Sequence, residues 1–134
     1  MKINDKDAQV LQHIVKHADE IADTINFFGK SKDKYLSNHI YRNSCTMALQ
    51  SMGENAKLLS ENFINHETEV SWKEMIGIRS FIAHAYDFST FNHDIVWQTL
   101  INDIPKVRNR CASILKENQI DIPTVKHIKK GFSR

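Results

Sequence analysis

Apolar residues recur every three or four positions through most of this chain, and that spacing commits it to helices. Between Asp5 and Phe28 the stripe is Val10, Ile14, His17 or Ala18, Ile21, Ile25 and Phe28. At about 100° per residue these positions share one face of an α-helix, whereas a half-buried strand would need strict alternation. Lys16, Asp19, Glu20 and Asp23 fall outside that stripe and read as a solvated face. Asp5 is placed to cap the start of the helix, and Gly29, followed by Lys30 and Ser31, to stop it.

The same reading predicts a second helix from about Lys34 to Asn62. Its stripe is Leu36, Ile40, Ser44, Met47, Ala48, Met52, Ala56, Leu58 and Leu59. Gly53 lies inside it at a cost of about 1 kcal/mol relative to alanine, which points to close packing or a kink. Residues Phe63 to Glu69 are polar enough to form a loop. Ser71 with Glu74 fits a capping box, so a third helix is expected from about Trp72 to Tyr86. Trp72, Met75, Ile76, Ile78, Phe81, Ile82 and Ala85 are too many for one stripe, as in a helix buried centrally or shared with a second subunit. Asp87 to Thr90 break it. A fourth helix is expected from about Asn92 to Glu117, with Ile95, Val96, Thr99, Leu100, Ile104, Val107, Cys111, Ile114 and Leu115 buried, and with Pro105 kinking or splitting it.

Composition agrees with this pattern. Only 4 Gly and 2 Pro occur in 134 residues, too little turn chemistry for a many-stranded β fold. The expected architecture is all-α, an antiparallel bundle of four to five helices, with residues 1–118 as one domain. Residues 119–134, carrying Lys126, Lys129, Lys130 and Arg134, are expected to be a basic C-terminal tail. The N-terminus lacks an apolar targeting core, and no stretch nears the roughly 18 apolar residues of a membrane span, so a cytoplasmic, membrane-free protein is expected. Cys45 and Cys111 have no C-x-x-C partner and read as buried free thiols. A formal charge of +2 permits contact with nucleic acid without demanding it.

The segment Arg79-Ser80-Phe81-Ile82-Ala83-His84-Ala85-Tyr86 is the most informative in chemistry. No Gly-rich phosphate loop, H-E-x-x-H, G-x-S-x-G or paired-cysteine cluster occurs, and no cofactor or metal is expected. His13 and His17 could share a helix face, but no third ligand is evident beside them. Arg79 is a permanent cation with a planar fork suited to phosphate, set among Ile78, Phe81 and Ile82. His84 can exchange a proton near neutral pH, and Tyr86 adds a phenol. An Arg and a His suffice to cleave RNA when its 2′-hydroxyl is the nucleophile. In a straight helix, though, positions 79 and 84 point about 140° apart. A curled Arg stem, a helix distortion or a two-fold axis would have to bring them together. The opposing reading has Arg79 in a buried ion pair with Glu54 or Asp87 while His84 merely packs.

The stretch from Trp72 to Tyr86 resembles the signature of the HepT family of HEPN proteins, a Trp, then Gly77-x-Arg79, then R-x4-H-x-Tyr. Met52-Gly53-Glu54 resembles the family's Gly-Glu, and Asp94-Ile95-Val96-Trp97 with Ile104-Pro105 resembles the segment after the motif. The resemblance spans about Val10 to Leu115. It implies a HEPN bundle that forms a homodimer with two R-x4-H motifs facing one cleft. The implied activity is metal-independent endoribonuclease cleavage of RNA by the toxin of a type II toxin–antitoxin pair, with Arg79 and His84 catalytic and Ser80, Glu54 and Asp87 supporting. The implied partner is a minimal nucleotidyltransferase antitoxin able to transfer AMP (AMPylation) onto Tyr86. Ser80 departs from the family's usual Asn, keeping a donor and an acceptor with shorter reach. The alternative is a non-catalytic HEPN module that binds a nucleotidyltransferase or a nucleotide through the same cleft.

Overall fold

The computed structural model describes residues 2–85 and 92–124, with side chains on the helix ending at Ala85 described as far as Ile82. Helix α1 (Asp5–Phe28) forms as the spacing requires, and its first turn is capped one residue earlier than expected. The Asn4 side chain, not that of Asp5, accepts from the Asp7 N–H. Gly29 ends the helix at φ +107°, a left-handed value that favours glycine. Its N–H still bonds the Ile25 carbonyl at 2.8 Å.

The second predicted helix is three separate helices. Ser31 caps α2 (Lys32–Ser37). Asn38 is extended, and its side chain accepts from the N–H groups of Ile40 and Tyr41 to start α3 (His39–Ala56). Ser60 caps α4 (Glu61–His66) by accepting from the Phe63 N–H, so part of the expected loop is helical. Short polar side chains offer the backbone a bond that competes with the helix, and apolar periodicity cannot register that competition. The breaks also change which apolar residues are buried. Leu36, Ile40, Met47 and Leu58 are exposed, contrary to the continuous stripe.

Helix α5 (Trp72–Ala85) begins where the Ser71–Glu74 spacing predicts. The fourth predicted helix is α6 (His93–Gln98), a π-helical turn at Thr99–Asp103, and α7 (Ile104–Glu117). Pro105 does not split it. The Ile104 N–H bonds the Thr99 carbonyl five residues back. Proline lacks an N–H and crowds the carbonyl four positions earlier, and a widened turn ahead of it absorbs both effects. Ile95, expected inside, is exposed.

These elements make an all-α bundle with no strand among the described residues. Helix α1 packs against α3 on one side and α7 on the other, and α3 carries α5. Cross-links show that α1 and α3 run in opposite directions. The Tyr41 hydroxyl donates to the Gly29 carbonyl at one end, and the Ser60 N–H and Oγ–H donate to Asp7 at 2.8 and 2.6 Å at the other. Asn118 Oδ1 accepts from the Ile3 N–H at 3.1 Å, which brings the end of α7 to the start of α1. Leu11, Ile14, Val15, Leu49, Met52, Leu100 and Leu115 fill the centre. Cys45 and Cys111 are buried free thiols, as expected, and burial pushes each up to about 12. No described helix is long and apolar enough to cross a membrane.

One end of the bundle is aromatic. Phe28 stacks on Tyr41, and Tyr35 meets Tyr41, Trp97 and His93. The Tyr35 hydroxyl and His93 Nδ1 lie 3.1 Å apart, tying α2 to the start of α6. Desolvation, with Arg42 adding to it and Asp94 opposing, lowers the His93 pKa.

Buried Asp7 and half-buried His93 each carry a prediction. Asp7 is 2 % exposed. Asp7→Ala leaves the Ser60 donors unmatched and should cost about 1–3 kcal/mol in denaturant unfolding. His93 takes its proton at lower pH in the folded chain than in the unfolded one. The unfolded state therefore binds more protons below the ordinary histidine value of 6.5, and stability should fall as pH drops through that region. The melting temperature of wild type should drop more between pH 7.5 and 5.5 than that of His93→Gln.

Candidate active site

Glycine at position 53 decides how the site is assembled. A Cβ there would lie 2.7 Å from the Arg79 Cβ and 2.8 Å from the Met75 carbonyl oxygen. Helices α3 and α5 therefore touch backbone to backbone at this level, closer than any other residue allows. The next residue on α3 is Glu54, and the Arg79 Nε–H donates to its Oε1. Two residues 25 positions apart are joined in one ion pair by the contact beneath them.

The pair is at the surface. The Arg79 and Glu54 side chains are 35 % and 46 % exposed, so the expected buried pair is corrected to a solvent-reachable one. Arg79 projects beside α3, and its stem covers Gly53. The opposite side of α5 is open, with Lys73, Gly77, Ser80 and Phe81 exposed along it and space around Gly77. Continuous helix from Trp72 to Ala85 places position 84 about 140° around the axis from position 79. The helix thus has no distortion that would swing the two together. The His84 side chain, Tyr86 and Asp87 lie outside what the structure describes.

Other polar groups are spread over the bundle. His17 Nδ1 contacts Glu20 at 2.8 Å, whereas His13 is exposed. Among the described residues no group of three His, Cys, Asp or Glu side chains converges. A hollow of about 460 Å³ lies elsewhere, between α1 and the π-turn, lined by Ala22, Ile25, Ile101 and Pro105. The Arg79 site is an open helix surface, which suits an extended polymer better than an enclosed small molecule. Two exposed cations on these two chain segments, Lys57 and Lys73, were not singled out in the sequence. Lys57 follows Glu54 by three positions and Lys73 precedes Ser80 by seven, spacings that keep each pair on one helix face.

A model of ribonuclease HepT-like proteins matches residues 14–114 of this chain. The chain belongs to that family. The matched region contains Gly53, Glu54, Arg79, Ser80, His84, Tyr86 and Asp87. The chain is 26 % identical over 109 residues to a provisionally named RNase of Caldanaerobacter subterraneus, covering 81 % of this chain and 94 % of the relative. It is 29 % identical over 107 residues to a provisionally named RNase of Methanocaldococcus jannaschii, covering 80 % and 85 %. It is 31 % identical over 71 residues to a probable ribonuclease HepT of Thermococcus cleftensis, covering 52 % and 61 %. No solved structure matches the chain.

The exposure of the ion pair carries a stability prediction. Exposed pairs contribute between zero and about 1 kcal/mol, and Arg79→Ala keeps the Cβ that packs on Gly53. Urea unfolding of Arg79→Ala should therefore show a loss below about 1 kcal/mol.

Proposed function

We propose that this chain is a metal-independent HEPN endoribonuclease and the toxin of a toxin–antitoxin pair. The observation that carries the reading is Arg79, a guanidinium oriented by Glu54 on an open surface of a HepT-like fold. An arginine held by its Nε keeps both terminal nitrogens for a second partner, and a scissile phosphate offers the matching pair of oxygens.

In the proposed reaction the 2′-oxygen of RNA attacks the adjacent phosphorus. The bond from phosphorus to the 5′-oxygen breaks, leaving a 2′,3′-cyclic phosphate and a 5′-hydroxyl. One His84 takes the proton from the 2′-hydroxyl, and a protonated His84 delivers one to the leaving 5′-oxygen. Arg79 offsets the charge that grows on the phosphoryl oxygens. Ser80, exposed on the outward side of α5, serves as a further hydrogen-bonding group, and Asp87 as a supporting acid.

A homodimer is part of this reading. Positions 79 and 84 do not share a face of α5, so a second copy is needed to supply the His84 that meets a given Arg79. The exposed Ile40 and Met47 on α3 and Phe81 on α5 support it as apolar surface available for burial. The partner is a minimal nucleotidyltransferase antitoxin, which silences the enzyme by placing AMP on Tyr86. That adduct would bring bulk and negative charge to the cleft and repel RNA phosphate.

The test is cleavage of single-stranded RNA by the purified chain with chelator present. Arg79→Ala and His84→Ala should each lose about 100-fold or more in rate while remaining folded. Equal cleavage by wild type and both variants would assign the activity to a contaminant and overturn the reading. Tight binding of the nucleotidyltransferase with RNA left intact would favour the non-catalytic module instead.

A further inference from the structure

Two helix-interior glycines, Gly53 on α3 and Gly77 on α5, differ in what surrounds them. A Cβ added at Gly77 meets nothing within 4 Å. At Gly53 it meets the Arg79 Cβ at 2.7 Å, the Met75 carbonyl oxygen at 2.8 Å and the Arg79 backbone nitrogen at 3.2 Å. Two of these three atoms are backbone, and the third is the first atom of a side chain, which no rotamer change can move. Rotation of the Arg79 side chain cannot relieve the contact. Relief requires that α5 itself shift away from α3.

We propose that Gly53 is a positioning residue, a spacer of zero length that sets the α3–α5 separation at the level of Arg79 and so lets Glu54 orient the guanidinium. The inference rests on the function proposed above for its catalytic consequence, although its structural half stands on geometry alone. Three features support it. The most crowded atoms belong to Arg79 itself and to Met75 one turn before it, so the glycine acts at the level of the site. Glu54 follows Gly53 directly, so any shift of α5 relative to α3 at this level alters the reach from Glu54 to Arg79. The ion pair is substantially exposed, so water offers both partners an alternative and the pair does not pull the helices together by itself. The spacing must come from the packing beneath.

The expected consequence divides activity from binding. The Arg79 charge remains on the surface when α5 moves by a fraction of an ångström, so RNA affinity should change little. The alignment of the guanidinium with the transition state should change a great deal, because catalysis depends more steeply on position than binding does. Gly53→Ala is therefore expected to lower kcat at least tenfold with KM within threefold of wild type. A role in core packing alone would lower stability and leave kcat of the folded fraction intact.

The experiment pairs RNA cleavage kinetics with NMR of the Arg79 Nε–H, whose signal reports its bond to Glu54 without reference to RNA. Gly53→Ala should shift or broaden that signal to the position found in Glu54→Gln, whereas Gly77→Ala, with open space around it, should leave it in place. Should Gly53→Ala alone fail to fold, the Gly53→Ala/Gly77→Ala double variant repeats the measurement with the better helix former at position 77. An unchanged Arg79 signal in a folded Gly53→Ala chain overturns the proposal. So does failure of both variants to fold, which would leave Gly53 a packing residue only. If the signal moves but wild type cleaves no RNA, the spacer role stands and the ribonuclease reading falls.

Discussion

The backbone contact at Gly53 is the constraint on which the candidate site depends. Helix α3 lies between α1 and α5, so the separation it imposes on α5 is measured from the centre of the bundle. On the α1 side ordinary side chains set the spacing, with Leu49 and Met52 buried among Leu11, Ile14 and Val15. On the α5 side, at Gly53, there is no side chain to set it, and the helices meet at their backbones. A small-residue crossing of this kind trades helix propensity for proximity. What proximity gives here is an acidic residue of α3 within reach of an arginine of α5.

The electrostatics of that pair follow from its depth. A fully buried guanidinium would need every donor matched, and an unmatched carboxylate would be worse still. At about one-third to one-half exposure neither penalty is large, so the pair adds little to stability and can be disturbed by a ligand. Contrast Arg110, whose partner Glu67 is buried. Its guanidinium donates to Glu67 at 2.7 and 3.1 Å, and that hydrogen bond raises the Arg110 pKa. Arg110 and Glu67 form a fastening between α7 and the segment leading into α5. Arg79 and Glu54 have the same chemical groups in a setting where a phosphate can compete for one of them.

The legible part of this structure was the part written in long apolar periods. Helix α1, the start of α5 at Trp72 and the span from α6 to α7 follow the spacing of their apolar residues closely. The breaks around α2 and α4 were hidden because Asn38 and Ser60 act through side-chain bonds to nearby backbone N–H groups, which leave the surrounding three-and-four pattern intact. Pro105 was legible as a perturbation, but its remedy was not, since a π-turn is chosen by the hydrogen-bond geometry upstream of the proline. At the site, Glu54 was one of two acids that could meet Arg79. Sequence spacing cannot choose between acids 25 positions before and 8 positions after an arginine. The choice of Glu54 needed the helix crossing, and the crossing needed Gly53.

The regularity that made α5 readable also sets the terms of its chemistry. A helix that is continuous from Trp72 to Ala85 cannot turn positions 79 and 84 toward one point. A kinked helix could have done so, as could a longer arginine reach. The reach, however, is directed to Glu54, and α5 runs as α-helix from Trp72 to Ala85. On the proposed ribonuclease reading the two groups must therefore come from different copies, with the Arg79 of each chain held by its own Glu54 and the histidine delivered across the axis. In such an arrangement the separation of α3 from α5 within one chain fixes half of the catalytic geometry, and the approach of the second chain fixes the rest.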